Sequence, residues 1–116
     1  MHDRAEAERQ QRVILDSLNA MTEKEMMPMN KQEILRMAIE TYGAHAQELM
    51  LLEEMSELQK EICKYRRGND NRNQIAEEIA DVEIMLEQMK IIFQCADAVS
   101  LYRIQKLKRL ERRLSE

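Results

Sequence analysis

Apolar side chains return every three or four residues along most of this chain, the period that lays them on one face of an α-helix. Over 44–67 the stripe is Leu51, Met55, Leu58 and Ile62. Gly68-Asn69-Asp70 breaks it, and a second stripe follows with Ile75, Ile79, Val82, Leu86, Met89 and Phe93. The second helix is expected to open at Asn71 or Asn73, either of which suits an N-cap, with Met85 beside its stripe. A last helix, over 98–115, is expected to bury Leu101, Ile104, Leu107, Leu110 and Leu114. Upstream, Asn30 and Glu33 have the form of a capping box opening a helix to Tyr42, with Ile34, Leu35 and Ala38 along it. Gly43 then permits a kink or an end.

Residues 1–30 are polar except for Val13, Ile14, Leu15, Leu18 and Met21, and Met26-Met27-Pro28-Met29 interrupts the helical pattern. They are set apart as an N-terminal helical extension of unassigned role, whose apolar patch either docks or belongs to a frayed arm. Residues 31–116 form the domain proper. The pattern therefore predicts an all-α bundle of four to five helices.

Size and composition sharpen this picture. A chain of 116 residues fits one small domain, and two Gly and one Pro leave little room for hairpins or sandwiches. With aromatic content at 3%, aliphatic side chains and ten Met must fill the core. So short a chain buries a modest share of its surface, and dimerisation is expected to complete the core. The net charge of −4 argues against broad binding to nucleic acid or an anionic membrane. No apolar run is long enough to suggest a signal peptide or a span, so the expected location is cytoplasmic. Cys63 and Cys95 are too few for a disulfide framework and read as buried, reduced thiols.

The candidate chemistry lies in two acidic pairs, Glu54-x-x-Glu57 and Glu78-x-x-Asp81, on the helices flanking the Gly68 break. Residues three apart share a helix face, so an antiparallel hairpin would bring four carboxylates together. Such a cluster is unfavourable unless protons or a cation neutralise it. Oxygen donors without His or Cys favour Mg²⁺ or Mn²⁺. Either pair alone is commonplace among 22 acidic residues; their joint position, bordering apolar stripes on neighbouring helices, singles them out. Gln47 lies near the same flank, two turns before Glu54. On the last helix Tyr102, Lys106, Arg109 and Arg113 share one flank, with Lys108 and Arg112 opposite. Those cations either solubilise the chain and complement the helix dipole or neutralise a polyphosphate. A Walker-type phosphate loop, Cys-x-x-Cys, His-Glu-x-x-His and the Glu-x-x-His of di-iron bundles are all absent from the sequence.

Gln47-x6-Glu54-Met55-Ser56-Glu57-Leu58, then Ala76-Glu77-Glu78-Ile79-Ala80-Asp81-Val82, then Lys106-Leu107-Lys108-Arg109 resemble the MazG-like members of the all-α nucleoside triphosphate pyrophosphohydrolase superfamily. The likeness spans residues 34–114, with 20 residues between Glu57 and Glu78. It implies a homodimer or homotetramer that binds Mg²⁺ (or Mn²⁺) through Glu54, Glu57, Glu78 and Asp81, the catalytic set. It implies phosphate contacts from Lys106 and Arg109, with Lys108 or Arg113 as alternates, a base or sugar contact from Gln47, and support from Glu53 and Glu77. The implied reaction is hydrolysis of a ribo- or deoxyribonucleoside triphosphate to monophosphate and pyrophosphate, in cleansing the nucleotide pool. The absence of Trp leaves base recognition open. The alternative is a non-catalytic helical protein-interaction module, in which the acidic pairs decorate the surface. A nucleic-acid contact through the last helix is the weakest reading, given the acidic balance.

Overall fold

The computed structural model describes residues 4–19 and 29–116. Five helices are present among the described residues: α1 (Arg4–Asn19), α2 (Lys31–Tyr42), α3 (Ala44–Arg66), α4 (Arg72–Ile92) and α5 (Ala96–Leu114). Among the described residues there is no strand, as the periodicity predicts. Leu18's side chain, Met21 and the Met26–Pro28 break lie outside the described residues.

The helix ends follow from local chemistry. Asn30 Oδ1 accepts the Glu33 backbone N–H at 2.9 Å, and the Glu33 carboxylate accepts from the Asn30 side-chain amide. This is the expected capping pair, closed through the Asn30 side chain. Gly43, at φ +91°, ends α2 by donating its N–H to the Ile39 carbonyl at 2.8 Å. Its own carbonyl accepts the Gln47 N–H at 3.1 Å, so one residue also starts α3. The end of α3 is a Schellman motif: Gly68 (φ +103°) donates to the Tyr65 carbonyl and Asn69 to the Lys64 carbonyl. The end of α4 repeats that geometry with Gln94 (φ +51°) donating to Ile91 and Cys95 to Lys90. A left-handed conformation is uncommon for a residue with a Cβ. Asn71 occupies the N-cap position of α4 without capping it. Its amide reaches back to α3 instead, donating to the Glu61 carbonyl oxygen at 2.8 Å and to Glu61 Oε2 at 2.6 Å.

The α3–α4 antiparallel hairpin is the body of the fold. α2 packs on both of its helices, joined to α4 by the ion pair of Lys31 with Glu87 at 3.8 Å; Lys90, on α4 itself, meets the same carboxylate at 2.9 Å. α1 and α5 each make their main contact with α4. Among the described residues the buried apolar set is small: Ala7, Leu35, Met85 and Met89.

Several expected core positions are therefore open. Met55, Ile62, Ile79, Leu86 and Phe93 are 40 to 60% exposed, and the α5 stripe from Leu101 to Leu114 is 49 to 77% exposed. Met85, expected beside the α4 stripe, is buried. Of the α3 and α4 stripes, Met89 is buried and Leu51, Leu58, Ile75 and Val82 are half-buried, so each stripe is covered along one edge and open along the other. On α1, Ala7 is buried while Val13, Ile14 and Leu15 face solvent. Cys63 is exposed and Cys95 half-buried, so the expected pair of buried thiols is not formed. The radius of gyration, 17.5 Å, exceeds the roughly 13 Å of a compact domain of this length.

Candidate metal centre

α3 and α4 are held in register by polar side chains, spaced at seven residues for Gln47, Glu54 and Glu61 on α3 and for Gln88 and Asp81 on α4. Gln47 Nε2 donates to Gln88 Oε1 at 2.7 Å, and both residues are buried, at 7 and 3% exposure. One heptad along each helix come Glu54 and Asp81, and beyond them the Glu61–Asn71 contact. A helix advances almost two turns in seven residues, so these groups form one line down the seam.

Midway along that line Glu54, Glu78 and Asp81 converge. Each offers a carboxylate oxygen within 4.8 Å of the other two, and all three residues are half-buried. The pKa of Glu54 is raised, first by burial and then by the neighbouring carboxylates of Asp81 and Glu78. No cation figures among the groups acting on it. Glu78 Oε2 is buried and has no hydrogen-bond partner. A buried acceptor left in this state costs free energy, and like charges this close repel. A hard divalent cation would correct both faults, and an all-carboxylate donor set suits one. Oxygens sharing one Mg²⁺ lie at most about 4.2 Å apart, so small side-chain rotations suffice to close a group within 4.8 Å.

The other expected residues are placed differently. Glu57 is half-buried one turn beyond Glu54 and does not belong to the converging group. Three residues on, its side chain is rotated roughly 60° from Glu54, away from the seam. Glu53 and Glu77 are exposed. Gln47 lies in the seam with its amide engaged by Gln88. Lys106, Lys108, Arg109 and Arg113 are exposed on α5, as is Tyr102.

Within one chain these cations are not brought to the carboxylates. Val99 and Arg103 of α5 face an 810 Å³ cavity that is also lined by Ala80, Ile84 and Glu87 of α4 and by Ile34 and Leu35 of α2. That side of α4 is roughly a third of a turn away from Glu78 and Asp81. Glu87 there has a lowered pKa, chiefly through Lys90, with smaller contributions from Lys31 and Arg103.

The sequence reading did not mark Gln88, and it marked Asn71 only as a candidate N-cap, not as a contact to α3. Gln88 was signalled by spacing: it follows Asp81 by the interval that separates Gln47 from Glu54. Asn71 carried no comparable signal, because its capping propensity pointed to α4 and its amide bonds α3.

Comparison with protein-family models, with curated proteins and with solved structures gave no match.

Proposed function

We propose that the chain is a Mg²⁺-dependent nucleoside triphosphate pyrophosphohydrolase of MazG-like type, with Mn²⁺ as a possible substitute. The observation that carries this reading is the convergence of Glu54, Glu78 and Asp81 around the unpartnered Glu78 Oε2. These three side chains would hold the ion. When bound, Mg²⁺ supplies Lewis-acid charge neutralisation to a triphosphate. The seam fixes the donors: Gln47–Gln88 on one side and Glu61–Asn71 on the other prevent α3 and α4 from sliding. Positioning of this kind accounts for much of the rate in phosphoryl transfer.

Glu57, outside the converging trio, is the carboxylate left to take a proton from the attacking water. Water adds at the α-phosphorus, its proton passes to Glu57, and the bond to the bridging oxygen breaks to release pyrophosphate. Lys106, Arg109 and Arg113 would neutralise the phosphates beyond the reach of the carboxylate-held ion. The same reading makes the protein a homodimer or homotetramer of the cytoplasm, consistent with its exposed apolar rows.

The test is a pyrophosphate-release screen over all ribo- and deoxyribonucleoside triphosphates with Mg²⁺, with products identified by mass. Monophosphate and pyrophosphate are expected, with turnover lost in Asp81→Asn while helix content is kept. Diphosphate with phosphate would reassign the bond, and no release from any substrate would refute the reading. The exposed apolar rows also favour a second reading, a non-catalytic interaction module, for which Mg²⁺ leaves thermal stability unchanged.

A further inference from the structure

We infer that α5 of one copy packs along the α3–α4 hairpin of a second copy, apolar stripe inward, laying its basic flank beside the carboxylates of that copy.

Three independent observations lead here. First, α5 has no buried residue: Ile104, Leu107, Leu110 and Leu114 repeat at helical spacing and all face solvent. Second, the hairpin bears a matching vacancy. Ile79, Leu86 and Phe93 on α4 and Met55 and Ile62 on α3 form two exposed rows at seven-residue spacing. In an antiparallel pair, rows displaced in the same rotational sense from the contact line lie on the same side. Both rows meet that condition, and together they make one apolar face. At 1.5 Å per residue, α5 spans about 28 Å and α4 about 31 Å, so the 19-residue helix fits the 21-residue one end to end.

Third, the charges are complementary. α5 carries six basic and two acidic side chains, whereas α3 and α4 together carry ten acidic and five basic. Within its own chain α5 does not use this match, because it stands on another side of α4, where Arg103 and Glu87 line one cavity. Docked on a second copy, Lys106, Arg109 and Arg113 would flank Glu54, Glu78 and Asp81, completing a site that one chain leaves without cations. A lipid surface fits less well. It would cover the α5 stripe, leave the hairpin's rows in water and face ten carboxylates.

The inference needs neither metal nor turnover, so it stands or falls separately from the proposed hydrolysis. Sedimentation equilibrium of the full chain should show a dimer or a multiple of one. Leu107→Asp with Leu110→Asp should give a monomer of unchanged helix content at concentrations where the parent is dimeric. Val13→Asp on α1 should leave assembly intact. In an equal mixture of ¹⁴N and ¹⁵N chains carrying a photo-cross-linking residue at position 107, mixed-isotope products should join 107 to peptides from 44–93. A monomeric parent, a dimer that survives the α5 substitutions, or cross-links confined to α5 with α5 would each overturn it. So would binding to anionic vesicles by a chain that does not self-associate.

Discussion

Replacing Glu54 by Gln should stabilise the metal-free protein and remove its response to Mg²⁺. Glu54 lies within 4.8 Å of both Glu78 and Asp81. At that separation a like-charge pair costs about 0.9 kcal/mol in water and about 3.5 kcal/mol at an effective dielectric constant of 20. All three groups are half-exposed, so screening keeps the cost near the lower figure. Two pairs then give about 1–2 kcal/mol of relief, or an increase of about 4–8 °C in Tm. The pH dependence has a definite sign. The folded pKa of Glu54 is raised, so its ionisation destabilises the fold as pH rises through that value. Below the ordinary carboxylate range the group is protonated in both states, and the variant loses its advantage. Saturating Mg²⁺ should invert the order, since a ligand at 100 times its Kd stabilises the parent by about 2.7 kcal/mol and the variant forgoes this. Thermal melts by circular dichroism in EDTA and in Mg²⁺, at acid and neutral pH, read each outcome. A Glu54→Gln variant that melts below the parent in EDTA at neutral pH would refute the reasoning.

Other consequences follow from single contacts. Gln94→Gly should raise stability by about 0.5–1 kcal/mol in urea unfolding, because it relieves a left-handed residue at a site where α3 already uses Gly68. Gln47→Leu should cost about 1–3 kcal/mol by stranding the buried Gln88 amide. Adding Gln88→Leu should recover part of that loss, so a double-mutant cycle far from additivity is expected. The Asn71 hydrogen bond, aided by Lys64, lowers the pKa of Glu61. Its stabilisation is thus present above the ordinary carboxylate range and lost as pH falls through the lowered value. Asn71→Ala should flatten the acid limb of the Tm–pH curve as well as lower Tm at neutral pH.

Element boundaries were largely legible in the sequence because they rest on local chemistry. Asn30 with Glu33, Gly43 and the Gly68 break each act within a few residues, and the helices start and stop there. Which faces become buried was less legible. Periodicity locates an apolar stripe but cannot say whether one chain supplies its neighbour, and for Ile79, Leu86, Phe93 and all of α5 it does not. The acidic pairs were read as bordering the stripes, whereas Glu54 and Asp81 lie in the contact line itself. Glu57 differs from Glu54 by one turn, and the residual rotation over that turn separates a converging carboxylate from an outlying one. That distinction depends on the rotation of α3 against α4, which the buried Gln47–Gln88 bond helps to set. The α5 cations were expected near the carboxylates on chemical grounds, but the turn at Gln94 directs α5 to another side of α4.

Whether α3 and α4 hold one divalent ion in common is read most directly by Mn²⁺ titration under electron paramagnetic resonance, which reports free ion as protein is added. The parent should deplete the free-ion signal saturably, with Mg²⁺ competing. Glu54→Gln, Glu78→Gln and Asp81→Asn should each lose most of that binding, and Glu57→Gln should retain more of it than any of the three. An undiminished signal with the parent, or equal depletion by the parent and all three variants, would contradict the shared site.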